Sequence, residues 1–154
     1  MLNALTGSPG AAFTSSRPGC TQLINFFRIG NDFLFADLPG YGYARVPPET
    51  KQEWKRLIEV YLSERKQLAL SVILLDARRG WMESDLELKE WLEFHKRRYL
   101  VAATKVDKLK NQSEQHRSRK ALRQHYPEGD LVMVSAVTRQ GMNELWQAIS
   151  KIKS

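Results

Sequence analysis

Three short segments bear side chains whose type and order could bind a nucleotide. The first is Asp37-Leu38-Pro39-Gly40. A carboxylate can hold a hydrated Mg²⁺, a hard ion that takes oxygen ligands and keeps several waters. A glycine at Gly40 brings its N–H close to a phosphate oxygen without a Cβ in the way. Alone, this D-x-x-G is equally a turn. The second is Thr104-Lys105-Val106-Asp107. Guanine presents N1–H and an exocyclic amine side by side, and one ionised carboxylate accepts both. Adenine offers no such pair and would leave a buried Asp107 unmatched. The Lys105 stem can lie across the base plane. The competing reading is a surface turn that caps the following helix. The third is Ser135-Ala136, where a free amide beside small side chains could donate to the guanine O6. Two residues carry little weight alone. Their order, with each segment following an apolar run, singles out a guanine nucleotide.

The elements that must position these segments can be read from the hydrophobic pattern. Residues 21–27 and 32–37 read as strands joined through Gly30-Asn31, which predicts a hairpin. Pro47 and Pro48 open a helix. Along it Trp54, Leu57, Ile58, Tyr61 and Leu62 share one face. Leu70 to Asp76 is a continuous apolar run, expected for a strand covered on both faces. Ser84 and Glu87 suggest a capping box for a helix buried through Leu88, Trp91 and Leu92. Tyr99 to Thr104 is a second buried strand, and a polar helix over 113–125 follows. Leu131 to Val134 is the last strand, and Met142, Leu145, Trp146 and Ile149 mark a closing helix. Alternating strands and helices imply an α/β fold with a mostly parallel sheet and helices on both faces. Each candidate segment then lies at a strand's C-terminal end, where open α/β sheets bind ligands. Residues 2–6 read as a helix end closed by Gly7.

Composition bounds the class. The 154 residues suit one domain. No apolar run approaches the roughly 18 residues of a membrane span, so no membrane partner is expected. A single cysteine, Cys20, fits a reducing compartment, and His95, His116 and His125 have no partners at zinc-ligand spacing. Against 17 acidic residues stand 24 Lys and Arg, a net charge of +7 that suits RNA or DNA but also simple solubility. The run His95-Lys96-Arg97-Arg98 and Arg117-Ser118-Arg119-Lys120 are candidate RNA contacts or plain solvated faces. Trp54, Trp91 and Trp146 belong to helix faces, which leaves Trp81 for a partner surface. Tyr41, Tyr43 and Arg45 suit a switch segment.

The strings Gly19-Cys20-Thr21-Gln22-Leu23-Ile24-Asn25-Phe26-Phe27 and Asp37-Leu38-Pro39-Gly40-Tyr41-Gly42-Tyr43-Ala44 resemble the EngB (YihA/YsxC) bacterial GTPases of the TrmE-Era-EngA group. Asn3-Ala4-Leu5-Thr6, Thr14-Ser15-Ser16 and Thr104 to Leu109 are similar as well. The resemblance implies a Ras-like P-loop GTPase fold, binding GTP or GDP with Mg²⁺. It further implies assistance in assembling the large ribosomal subunit through rRNA, and a need for it in cell division and septation. A cytoplasmic monomer is expected. Carried over, Gly19, Cys20, Thr21, Gln22 and Leu23 would border the nucleotide, with the Thr21 hydroxyl on Mg²⁺. Asp37 would support Mg²⁺ through water, and Leu38, Pro39 and Gly40 would lie at the γ-phosphate. Thr104, Lys105, Val106 and Asp107 with Val134, Ser135 and Ala136 would hold the base. Cys20 departs from the basic residue usual at its position.

The family opens with a strand and a G-x-x-x-x-G-K-[ST] loop, and no G-K-[ST] occurs in these 154 residues. The expectation is a single EngB-type G domain over 1–154, incomplete at its N-terminus and lacking the first strand and P-loop. On that expectation the chain binds GTP weakly and is inactive alone. Tyr41 replaces the glutamine that orients water in many GTPases. Hydrolysis would therefore be slow even in the full-length family and would need K⁺ or the ribosomal partner. The alternative is a non-hydrolysing rRNA- or ribosome-binding module, or an inactive remnant.

Overall fold

A computed structural model describes residues 1–7, 24–29, 31–38 and 47–153. They fall into two compact units, 1–66 and 67–154.

The first unit begins with α1 (Leu2–Thr6), closed by Gly7 at φ 71° with its amide on the Asn3 carbonyl at 3.1 Å. The hairpin expected from Gly30-Asn31 is present. β1 (Asn25–Ile29) pairs antiparallel with β2 (Phe33–Asp37), in a register that sets Asn25 opposite Asp37. The first strand thus lies further along than 21–27 suggested, and residues 21–23 fall outside the described ones. α2 (Pro48–Glu64) starts on its proline and buries Ile58 and Leu62, while Leu57 stays exposed. At its C-terminal end the Arg65 guanidinium lies over the rings of Phe26 and Tyr61, at 5.0 and 5.5 Å. It covers apolar ring faces while its charge stays partly hydrated.

The second unit is a three-stranded parallel sheet with three helices. Its strand order is β3 (Ser71–Asp76), β4 (Tyr99–Thr104), β5 (Leu131–Met133). β4 is central, so both of its edges are hydrogen-bonded, and Leu100, Val101, Ala102 and Ala103 are buried. A central parallel strand needs an unbroken apolar run, and β4 has one. β3 differs from expectation. Ile73 and Leu75 are buried, but Val72 and Leu74 remain 37% and 49% exposed. Among the described residues β4 is its one strand partner, so its burial alternates as on an edge strand with one covered face.

The helices are α3 (Glu83–Phe94), α4 (Gln112–His125) and α5 (Met142–Ser150). They bury Leu92, Leu122 and Leu145 almost completely, each contributing about 1.5–3 kcal/mol of apolar transfer free energy. The cap of α3 lies two residues before the Ser84–Glu87 pair. The Asp85 carboxylate accepts the Met82 amide at 3.0 Å, the reach-back half of a capping box. α4 begins at Gln112 because Asn111 Oδ1 accepts the Glu114 amide at 2.9 Å.

Gly141 caps α5 with φ 73°, and a Cβ there would meet the Met133 carbonyl oxygen at 2.0 Å. Gly80 has φ 72° but nothing within 4 Å of such a Cβ. Backbone handedness alone costs alanine about 1–2 kcal/mol, whereas Gly141 adds a collision with the end of β5. Gly141→Ala is expected to destabilise the chain by ~3 kcal/mol or more, and Gly80→Ala by ~1 kcal/mol. Urea unfolding of both variants checks the difference, and equal losses would remove the collision from the account.

Candidate functional site

The parallel register aligns the C-terminal ends of β3, β4 and β5. Asp76 lies opposite Thr104, and the Val134 amide extends the ladder to the Ala103 carbonyl at 2.7 Å. Three loops leave this edge side by side. Thr104 ties the first two, its Oγ1 donating to the Leu75 carbonyl at 2.8 Å while its own carbonyl accepts the Ala77 amide at 2.9 Å. The Val106 amide ties the second to the third, donating to the Val134 carbonyl at 3.3 Å.

The T-K-V-D segment turns sharply at Lys105, whose φ of 62° is left-handed. A non-glycine residue holds that conformation at a cost. A short 3-10 turn over Val106–Lys108 follows, anchored by the fully buried Val106. This turn sets Asp107 at the sheet edge with its side chain 11% exposed. Asp107 Oδ1 accepts the Ser135 hydroxyl at 2.6 Å. Ser135 is fully buried, and its Oγ in turn accepts the amides of Val137 and Thr138 at 3.1 and 3.0 Å. With both acceptor positions taken by N–H donors, the one hydroxyl proton is directed at Asp107. The serine therefore orients the carboxylate and requires it to accept. The Lys108 ammonium stands 3.9 Å from Asp107 Oδ2. Next along the third loop, Ala136 is exposed, and its amide makes no hydrogen bond among the described residues. A carboxylate with open acceptor capacity thus stands in the same loop cluster as a free N–H donor. In type, an acceptor and a donor of this kind are complementary to the donor–donor–acceptor edge of guanine.

Lys105 reaches back to Asp76, its Nζ donating to Oδ2 at 3.0 Å. Arg78 grips the same carboxylate through Nε and Nη2 at 2.9 and 2.6 Å, with its amide on Oδ1 at 3.0 Å. The Arg78 hydrogen bonds, chiefly, hold the Asp76 carboxyl well below the usual carboxylate range. A group depressed in the folded state stabilises fully above its unfolded pKa, about pH 4, and loses that contribution as pH falls toward the folded value. Asp76 and Arg78 were not singled out by sequence. The signal was available, since Asp76 ends an apolar strand run as Asp37 does.

The remaining sequence-derived positions divide. Asp37 ends β2 in the first unit and is exposed, and Leu38 beside it is partly buried. Gly19, Cys20, Thr21, Gln22 and Leu23, with Pro39 and Gly40, lie outside the described residues, as do Tyr41, Tyr43 and Arg45. No group of three or more His, Cys, Asp or Glu poised to hold a metal occurs among the described residues. Asp37 brings one hard oxygen donor, which fits an ion contacted through water. The Trp81 indole N–H donates to the Leu122 carbonyl of α4 at 3.0 Å, which fixes the half-buried ring against that helix.

Comparison with known proteins gives this geometry its lineage. Residues 1–105 match the family model described as 50S ribosome-binding GTPase. The chain is 55% identical over 150 residues to the probable GTP-binding protein EngB of Solibacter usitatus, covering 97% of the chain and 77% of that relative. It is 45% identical over 150 residues to the corresponding protein of Prosthecochloris aestuarii, covering 97% and 78%. Among solved structures, a probable GTP-binding protein engB superposes with TM-score 0.81 at 22% identity, covering 98% of this chain and 89% of that one. A single-residue variant of Aquifex aeolicus Era bound to GDP.AlF4- superposes with TM-score 0.73 at 22% identity, covering 98% and 51%. The fold is that of a Ras-like P-loop GTPase, and the chain belongs to the EngB family of GTP-binding proteins.

Proposed function

We propose that this chain is a G domain whose guanine base is held by Thr104, Lys105, Val106 and Asp107 together with Val134, Ser135 and Ala136, and that it serves as a switch in large-subunit ribosome assembly. The observation that carries the base site is the Ser135 hydroxyl at 2.6 Å from Asp107, which presents an oriented acceptor next to the free Ala136 amide. The base N1–H and N2–H would bind the Asp107 carboxylate and O6 the Ala136 amide, with the Lys105 stem along the ring face. Gly19 to Leu23 and Asp37 to Gly40 would serve the phosphates. Thr21 and Asp37 would hold Mg²⁺, directly and through water, and the ion would neutralise phosphate charge when bound.

The ribosomal role is supported by the family model's description and by the net charge of +7. An Era structure with MgGDPNP and nucleotides 1506-1542 of 16S ribosomal RNA has TM-score 0.74 to this chain. The link to division and septation rests on the sequence resemblance, as does a cytoplasmic monomer. A non-hydrolysing rRNA-binding module is the second reading, favoured by the net charge of +7 and by Tyr41 where many GTPases carry the water-orienting glutamine.

Three outcomes are expected. In Asp107→Asn the ratio of guanine to xanthine nucleotide affinity should fall about 100-fold, since xanthine's C2 carbonyl accepts from the new amide. Competition with a fluorescent guanine nucleotide reads this, and an unchanged ratio removes Asp107 from the base site. The 154-residue chain should bind a fluorescent GTP analogue more weakly than micromolar, because its sequence offers no lysine-bearing amide nest to the β- and γ-phosphates. Sub-micromolar affinity contradicts that. Phosphate release should be negligible in this chain. In a longer family member it should rise with K⁺ over Na⁺ or with ribosomal particles, and flat rates across all three conditions would exclude that assistance.

A further inference from the structure

We propose that the groove between the Ala77–Gly80 loop and α4 docks the phosphodiester backbone of RNA. The groove encloses about 430 Å³, and its cations are Arg78, Arg79, Lys108 and Arg117. The Ser118 hydroxyl donates to the Ala77 carbonyl at 2.6 Å, joining loop and helix across its floor. The acidic side chain on its lining, Glu114, already accepts the Lys110 amide through Oε2 at 2.8 Å. Four cations therefore face one engaged carboxylate. Arg78 is held by Asp76 and Lys108 stands by Asp107, but Arg79 and Arg117 form no ion pair among the described residues.

Unneutralised guanidiniums on opposite sides of an open groove suit a chain of phosphates. Each planar fork can grip one phosphate through two parallel hydrogen bonds, and the spacing of side chains at i and i+3 along α4 brings Lys120 onto the same face as Arg117. In α4 the basic residues Arg117, Arg119, Lys120 and Arg123 stand against Glu114 alone, which leaves the helix strongly positive. Arg123 is spent on the Tyr126, Pro127 and Gly129 carbonyls at the helix end, so Arg117 and Lys120 are the α4 cations on the groove side. Choosing RNA over another polyanion rests on the ribosome-directed reading above. The cation positions do not depend on it.

The test uses the full 154-residue chain and a fluorescently labelled RNA hairpin, with anisotropy measured across a salt series. Arg79→Ala/Arg117→Ala should weaken RNA binding about 10-fold and lower the salt slope by about two, one for each phosphate no longer gripped. Arg78 and Lys108 are left intact because they also touch carboxylates at the base-site edge, so thermal melting and guanine-nucleotide competition should not change. Lys51→Ala/Arg56→Ala, which removes exposed basic residues on α2, should leave the slope nearly unaltered. RNA affinity and slope unchanged in Arg79→Ala/Arg117→Ala, with the unmodified chain still binding, would overturn this docking site alone. A chain that fails to bind RNA even at low salt would overturn the ribosome-directed reading with it. Displacement of RNA by polyglutamate at equal charge concentration would assign the groove to an acidic protein instead.

Discussion

A buried serine hydroxyl has one proton to give, and at Ser135 both of its acceptor positions are filled by backbone amides. The proton can only go to Asp107, and a buried hydroxyl left without that partner would cost free energy comparable to a lost hydrogen bond. Much of the second unit supports this constraint. The tight turn at Gly141 brings the 135–140 loop back onto the end of β5, where the Gln140 carbonyl accepts the Ser135 amide at 3.0 Å. Val106, buried beneath Asp107, bonds to the Val134 carbonyl and keeps the two loops at one height. Orientation of one carboxylate thus depends on strand register, a glycine cap and a hydroxyl acting together.

Charge at this edge is concentrated on Asp76. Lys105 and Arg78 both spend their donors on Asp76, at 2.6 to 3.0 Å, while Lys108 stays 3.9 Å from Asp107. Exposed ion pairs stabilise a fold little. The value of the Asp76 cluster lies in placement, since it fixes the direction of the Lys105 stem and holds the Arg78 fork on one carboxylate. Arginine suits this role because its fork takes both oxygens of one carboxylate at once.

Several elements were legible because local physics and tertiary context agree. The unbroken apolar run Tyr99 to Thr104 reads as a covered strand, and β4 has those bounds with a partner on each edge. The proline pair set the start of α2, and Gly30-Asn31 the hairpin. Where several local choices compete, the pattern misled. Ser84 and Glu87 satisfy the capping-box spacing, yet the reach-back acid is Asp85, because the chain enters α3 in extended form at Met82 and presents that amide first. The apolar run of β3 suggested burial on both faces, but composition does not specify which neighbours cover a strand. Trp81 stands apart from any apolar helix face in sequence, and the acceptor of its indole N–H lies 41 residues away on α4.

The amino-acid order alone determined the α/β alternation, the strand-end positions of the T-K-V-D and S-A segments, and the basic character of the chain. Each of these follows from short-range periodicity or residue count. Only tertiary structure decided that the Ser135 proton points at Asp107, that Asp76 holds Lys105 and Arg78, and that Arg79 and Arg117 face one groove. Those are meetings of residues far apart in sequence, made by register and loop closure, and no local pattern encodes a distance across a sheet.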